Sequence, residues 1–169
     1  LGPKDLAISL STTSFTIVAS IQLFALFMLW SPSKIVFELP FEFLIYILPI
    51  LYCLSWFLLI VATIDAGLEI QSGALGWISV LARKKPKFPE LPTTGLYRVI
   101  RHPIYASFFL AVLTVPTWTA DQIVVSLILG GYCIFAPILK DRRLIERHGE
   151  KYLRYKNTTP YMLPSKIIK

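Results

Sequence analysis

Long runs without a charged residue alternate with short polar segments along this chain. Residues 6–30 form an uncharged run of 25 residues, and residues 43–64 form a second run of 22 residues. A helix rises about 1.5 Å per residue, so about 20 apolar residues cross a hydrocarbon core of about 30 Å. Both runs are therefore predicted to be membrane-spanning helices, and Pro49 is placed to kink the second one.

Two shorter uncharged runs follow in the second half of the chain. Residues 104–120 supply 17 positions and residues 122–139 supply 18, and a tight polar turn at residues 116–121 separates the two spans. Both are near the lower length limit for crossing a bilayer, and their arrangement is typical of a helical hairpin. Residues 65–81 are less hydrophobic than these runs, because glycines and polar side chains interrupt the apolar residues. We therefore expect this stretch to leave the bilayer or to face protein.

Composition supports a membrane protein and excludes several other classes. The chain has 169 residues, of which 55% are hydrophobic and 16% charged, and its mean hydropathy is +0.63. A soluble globular domain carries more charge, and a disordered chain carries far less hydrophobic surface. Only two cysteines are present, so a small secreted domain built on disulfides is also excluded.

The net charge of +7 is concentrated in the second half of the sequence. Residues 1–82 carry two basic and five acidic side chains, whereas residues 83–169 carry fifteen basic and five acidic ones. These cations flank apolar runs, which is the pattern of cytoplasmic loops in membrane proteins and not of a nucleic-acid-binding surface. The fold predicted is all-α: a polytopic helical membrane protein with about four transmembrane helices, both termini in the cytoplasm, and a cytoplasmic helical tail, in a bacterial inner membrane.

The charge distribution also predicts two regions. Residues 1–82 would form the first two transmembrane helices with an extension, and residues 83–169 would form a basic loop, a transmembrane hairpin and the C-terminal tail. The hairpin would bring the basic loop and the tail to the same side of the membrane. Because the sequence begins at Leu1 and not at methionine, we also expect a segment before it to have been removed.

Reactive side chains collect just before the third apolar run. Arg98, Arg101 and His102 precede Pro103, which is favoured in the first turn of a helix, and Tyr105 follows two residues later. One interpretation of this group is structural, with the arginines anchoring the topology and the histidine capping the helix. The other is a polar site at the membrane face.

A second polar group follows the fourth apolar run. Asp141 is the acidic residue nearest to the bilayer on this side, and Gly149 is expected to end its helix in a left-handed conformation. A short helix should then place Tyr152 and Tyr155 on one face. Neither histidine has a cysteine or carboxylate set with metal-ligand spacing beside it, so no metal site is expected.

These two segments resemble a known family. The sequence GLYRVIRHPIY at residues 95–105, followed by DRRL at 141–144 and HGEKYLRY at 148–155, is similar to the integral-membrane methyltransferases of the isoprenylcysteine carboxyl methyltransferase superfamily. Within that superfamily the spacing most resembles the methanethiol S-methyltransferase and NnrU-like branch. The resemblance covers roughly residues 62–164.

The resemblance implies that the two segments hold S-adenosylmethionine at the cytoplasmic membrane face. The implied cofactor-binding residues are His102, Tyr105 and Asp141, and the aromatic faces of Tyr97 and Tyr152 are further candidates to contact the sulfonium. Arg101 and Arg98 are the predicted catalytic residues, because nearby cations lower the pKa of an acceptor thiol. The expected partners are a small or lipophilic methyl acceptor, preferably a thiol, membrane lipid and other membrane proteins, without nucleic acid.

The sequence departs from the family pattern at two places, and this leaves alternatives open. Lys140 and Asp141 replace the usual pair of glutamates, and Ser107 replaces a glycine. A cation near a cationic cofactor is unfavourable, so one alternative is a non-catalytic membrane subunit of a larger complex that keeps the methyltransferase-like fold. A phospholipid N-methyltransferase is the other alternative.

Overall fold

The computed structural model describes residues 3–85 and 91–164. The predicted basic loop at residues 83–92 therefore lies partly outside the described residues. The chain divides into two compact units, one formed by residues 1–31 and 66–92 and the other by residues 32–65 and 93–169.

The described residues of the first unit form three helices. They are α1 (Pro3–Leu29), α3 (Leu68–Gln71) and α4 (Ala74–Leu81). Helix α1 packs against α4, and the hydroxyl of Thr13 donates to the carbonyl of Gly73. The uncharged run at residues 6–30 is thus helical over nearly its whole length, as predicted.

The second unit contains the remaining helices and a short antiparallel ladder. Its elements are β1 (Val36–Phe37), α2 (Leu44–Asp65), α5 (Leu96–Val99), α6 (Pro103–Leu113), β2 (Trp118–Thr119), α7 (Ala120–His148) and α8 (Glu150–Thr158). Val36 pairs with Thr119 and Phe37 with Trp118. Within the described part of the chain, α2 and α7 are the helices with the length and apolar composition needed to cross a membrane.

Small side chains form the interfaces on both sides of α6, which packs against α2 and α7. Gly130 of α7 lies against the ring of Phe109, where an added Cβ would be 3.3 Å from Cε2. Most large apolar side chains of α2 and α7 instead point outward and are exposed, which is the pattern of helices surrounded by lipid. The buried positions of the three helices are mainly small: Ser55, Ala62, Ser107, Ala111, Val112, Ser126, Gly130, Cys133 and Pro137.

The third uncharged run is helical over only part of its predicted extent of residues 104–120. Helix α6 ends at Leu113 and is about 16 Å long at 1.5 Å per residue. Pro116 has no N–H to bond the carbonyl of Val112, and this missing donor disfavours a further helical turn, although Pro49 and Pro137 are accommodated inside α2 and α7. That carbonyl instead accepts hydrogen bonds from Ser126 Oγ at 2.8 Å and Gln122 Nε2 at 3.3 Å.

The fourth run and the tail follow the prediction more closely. Helix α7 continues beyond residue 139 to His148, and Gly149 ends it with a φ of +53°. The N–H of Gly149 donates to the carbonyl of Ile145 at 2.8 Å, and α8 begins at the next residue. The predicted short helix that carries Tyr152 and Tyr155 is therefore confirmed. A single continuous helix joins the membrane-crossing segment to Asp141.

Candidate active site

The turn before α6 is held in place by the end of α2. Gly95 has a φ of +58°, in the left-handed region that favours glycine. The next backbone N–H, that of Leu96, donates to Asp65 Oδ2 at 2.8 Å. Any Cβ at position 95 would lie 2.1 Å from the same carboxylate oxygen. The turn thus has a contact that only glycine permits.

The entry to α6 lies beside the chain that follows α8. The N–H of Arg101 donates to the carbonyl of Pro160 at 2.9 Å, and the N–H of His102 donates to that of Tyr161 at 3.3 Å. Pro103 occupies the first turn of α6, as its missing donor favours, and His102 precedes the helix. These bonds bring together the two segments that the sequence singled out.

Asp141 is the centre of a cluster of polar side chains. Its Oδ2 lies 2.8 Å from Arg101 Nη1, and its Oδ1 lies 2.8 Å from His102 Nε2 and accepts a hydrogen bond from the Tyr152 hydroxyl. Lys156 Nζ is 3.8 Å from Oδ2. Asp141 is only 5% exposed, so hydrogen bonds and ion pairs with these partners, and not contacts with water, stabilise its carboxylate. We call Asp141, Arg101, His102, Tyr152 and Lys156 the Asp141 cluster.

The other predicted site residues lie at different distances from this cluster. The Tyr105 ring is edge-on to His102, with centroids 6.1 Å apart. Tyr97 is buried, and its carbonyl accepts a hydrogen bond from the Tyr155 hydroxyl at 2.5 Å. The structure does not bring Arg98 into the cluster, because that residue is exposed at the end of α5.

Sequence reasoning missed Tyr161 and Lys156. The Tyr161 ring lies 5.1 Å from the His102 ring and 5.5 Å from the Arg101 guanidinium carbon, and its hydroxyl donates to the carbonyl of Ile134 at 2.7 Å. Tyr161 follows the last helix and belongs to no periodic pattern. Lys156 carried a usable signal, because it lies four residues after Tyr152 and therefore on the same face of α8.

Burial determines the protonation state of the histidine in the cluster. It lowers the pKa of the His102 imidazole from 6.5 to about 4, although the Asp141 carboxylate opposes this shift. The neutral ring donates its Nε2–H to Asp141, which leaves a lone pair on Nδ1. Burial likewise raises the pKa of the Tyr152 phenol, with its hydrogen bond to Asp141 as a second cause, so this hydroxyl remains protonated.

Acidification is expected to destabilise the protein between pH 6.5 and about 4. In this window the unfolded chain binds a proton at His102 that the folded chain does not, so stability falls as the pH is lowered. The His102→Gln variant should show a flatter dependence, because His148 and the carboxylates are common to both proteins. Free energies of unfolding measured from pH 4 to 7 at constant ionic strength check this, and parallel curves for the two proteins would contradict it.

Two buried polar atoms of the cluster have no hydrogen-bond partner among the described residues. They are Arg101 Nε, a donor, and His102 Nδ1, an acceptor in the neutral ring. Buried polar atoms are nearly always paired, so these two are candidates for contact with a bound molecule. A donor and an acceptor beside aromatic rings match the carboxylate, hydroxyl and cationic groups of S-adenosylmethionine, and the residues present fit that cofactor.

An apolar groove of 480 Å³ begins one helical turn beyond His102. Helix α6 supplies one wall through Ala106, Phe109 and Leu110, and Ile134 of α7 supplies another. The tail closes it with residues 161–163. Its volume is in the range of small-molecule sites, and Tyr161 belongs both to its lining and to the surroundings of the Asp141 cluster.

Comparison with known proteins gives a consistent group of relatives. The chain is 29% identical over 153 residues to the methanethiol S-methyltransferase of Pseudomonas deceptionensis, an alignment that covers 90% of this chain and 58% of the relative. Methanethiol S-methyltransferase 1 of Bradyrhizobium diazoefficiens is 26% identical, with 90% and 54% covered. The protein of that name from Crocosphaera subtropica is 25% identical, with 90% and 60% covered.

The chain therefore spans somewhat more than half the length of these relatives. No family model matches it, and no solved structure does. The resemblance of this chain to the methanethiol S-methyltransferase branch, expected from its motifs, is confirmed by these relatives.

Proposed function

We propose that this protein is a membrane methyltransferase that transfers a methyl group from S-adenosylmethionine to a small thiol. The observation that carries the proposal is the Asp141 cluster, in which the two family motifs meet on one buried carboxylate. The name shared by the relatives supports both the reaction class and the acceptor class.

The proposal includes an arrangement in the membrane. The chain crosses the bilayer about four times, with both termini and the Asp141 cluster on the cytoplasmic side. The apolar surfaces of α2 and α7 support crossing, and the concentration of cations after residue 139 supports the orientation. Residues 83–169 would provide the cofactor-binding region.

The chemistry asks mainly for alignment and for exclusion of water. When bound, S-adenosylmethionine would supply an electrophilic methyl group on its sulfonium. The acceptor thiolate would take this methyl group in one in-line displacement, and the broken sulfur–methyl bond would leave S-adenosylhomocysteine as a neutral thioether. The unpaired atoms of Arg101 and His102 would hold polar groups of the cofactor. The rings of Tyr105 and Tyr161, both close to His102, offer faces that attract a cation.

The charge balance of the site favours an anionic acceptor. Arg101, Lys140 and Lys156 are three cations around the single carboxylate of Asp141, and His102 is neutral. An excess of positive charge stabilises a thiolate and so helps a thiol to lose its proton before it attacks. Lys140 points to the Tyr105 ring, with Nζ 5.5 Å from the centroid, so the aromatic face partly compensates this cation.

A transfer assay tests the proposal. Detergent-purified protein is incubated with methyl-labelled S-adenosylmethionine and methanethiol, and we expect labelled dimethyl sulfide. Arg101→Lys keeps the charge but loses the Nε donor and the planar fork, so kcat should fall at least about tenfold. Arg98→Lys is the matched control, because Arg98 is exposed, and should retain most of the activity.

Other outcomes would assign the protein to one of the rival functions. Labelled phospholipid without labelled dimethyl sulfide would identify a phospholipid N-methyltransferase. No binding of S-adenosylmethionine by calorimetry, both in the parent and in Lys140→Glu, would identify a non-catalytic subunit. The second variant matters because it restores the acidic pair of the family and removes a cation from the site.

A further inference from the structure

Tyr161 stands between the Asp141 cluster and the apolar groove. On one side its ring contacts His102 edge-to-face at an angle of 72° and lies beneath the Arg101 guanidinium. On the other side the same residue lines the groove together with Ala106 and Ile134.

The position of the Tyr161 ring is fixed at both ends of the residue. Its carbonyl accepts the His102 N–H, and its hydroxyl donates to the carbonyl of Ile134 on α7. The tail is thereby attached to both walls of the groove, α6 and α7. A ring held at its backbone and at its hydroxyl has little freedom to move aside.

Helix geometry connects the groove to the cluster. His102 precedes α6, and Ala106 and Phe109 follow it by four and seven residues, so the three positions lie on one face. The backbone confirms this continuity, because the Ala106 N–H donates to the His102 carbonyl at 3.0 Å. If the Tyr161 ring were absent, a molecule lying along this face could extend from the apolar groove directly to the His102 imidazole.

We propose that Tyr161 is a specificity-determining residue that closes the polar end of the apolar groove and so limits the acceptor to thiols with short alkyl groups. This inference rests on the proposed function and adds the residue that sets the size limit of the acceptor. The thiol sulfur lies near Arg101, and its alkyl group meets the Tyr161 ring. Removing the ring opens the groove towards the His102 imidazole and lets a longer chain extend into its 480 Å³.

The test compares a series of n-alkanethiols, from methanethiol to octanethiol, with the parent and with Tyr161→Ala. Binding is measured by calorimetry in lipid nanodiscs, with empty nanodiscs subtracted to remove partition into lipid, and turnover is measured separately. One methylene in an apolar pocket changes discrimination by about tenfold or more. We therefore expect the affinity for hexanethiol relative to methanethiol to rise at least about tenfold in Tyr161→Ala.

Matched variants separate the ring from the hydroxyl and from the tail. Tyr161→Phe keeps the ring and its backbone attachment but loses the bond to Ile134, so it should change the preference for short thiols by much less than Tyr161→Ala does. Leu127→Ala removes an exposed apolar side chain of α7 that does not line the groove, and it should leave the preference unchanged. Tyr161→Val provides a second opening of the groove should the alanine variant fail to fold.

The outcomes separate this proposal from the proposed function. An altered length profile in binding without turnover in any protein would support the role of Tyr161 and contradict the methyltransferase. Turnover of methanethiol with the same length profile in all variants would overturn the role of Tyr161 and leave the enzyme. Absence of thiol binding in every protein would overturn the role of Tyr161 as well.

Discussion

Asp141→Ala is expected to lower the free energy of unfolding by about 3–5 kcal/mol, the loss typical when one partner of a buried ion pair is removed. The carboxylate is 5% exposed and accepts from Arg101, His102 and Tyr152 at once. Without this carboxylate, the positive charge of Arg101 has no acidic partner at 2.8 Å, and little water can reach it because the side chain is only 9% exposed. Reversible denaturant unfolding in detergent micelles, followed by circular dichroism, measures the loss.

Two further variants serve as comparisons for Asp141→Ala. Glu146→Ala removes an exposed carboxylate from the same helix and should change stability by less than about 0.5 kcal/mol. Asp141→Asn keeps the shape and one acceptor oxygen while removing the charge, and it should lie between the two. Equal stability of Asp141→Ala and Glu146→Ala would show that the cluster contributes nothing to the fold.

Gly95→Ala is expected to have the second largest effect, a loss of more than about 2 kcal/mol, because strain and collision act together. The φ of +58° alone disfavours alanine, and its Cβ would lie 2.1 Å from Asp65 Oδ2. Relief requires the carboxylate to move, which breaks its hydrogen bond from Leu96. The turn that precedes Arg101 and His102 would then lose its attachment to α2.

Gly149→Ala is the matched control for this prediction. Gly149 has a similar φ of +53°, but an added Cβ there meets nothing within 4 Å. The difference between the two alanine variants in unfolding free energy therefore measures the collision without the backbone strain. Combining Gly95→Ala with Asp65→Ala should recover part of the loss, and additive effects of the two changes would contradict a direct contact.

The sequence predicted those parts of the fold that depend on neighbouring residues alone, such as an apolar helix or a glycine at a helix end. The apolar runs located α1, α2 and α7, and Gly149 marked the end of α7, since the conformation there depends on one residue. The turn predicted at residues 116–121 does follow α6, but α6 already ends at Leu113, and α7 begins at Ala120. A run of uncharged residues shows which segment tolerates lipid, but it does not show where the helix ends: α6 stops before Pro116, whereas α7 continues through Pro137.

The candidate site was predictable only as far as motifs extend. The sequence named four residues of the cluster: Asp141, Arg101, His102 and Tyr152. In the structure the last three all contact the carboxylate of Asp141. Tyr161 could not be found in this way, because its contacts depend on where the tail crosses the start of α6. Arg98 shows the converse, since proximity in sequence to Arg101 did not bring it into the cluster.

Because α7 is one unbroken helix, the bilayer itself can act on Asp141. At 1.5 Å per residue this carboxylate lies about 32 Å along the helix from Ala120, close to one hydrocarbon thickness. Hydrophobic mismatch is accommodated by tilting such a helix, and the tilt shifts its end relative to the lipid headgroups. In the proposed membrane arrangement, bilayer thickness, and hence acyl-chain length, would set the depth of the Asp141 cluster.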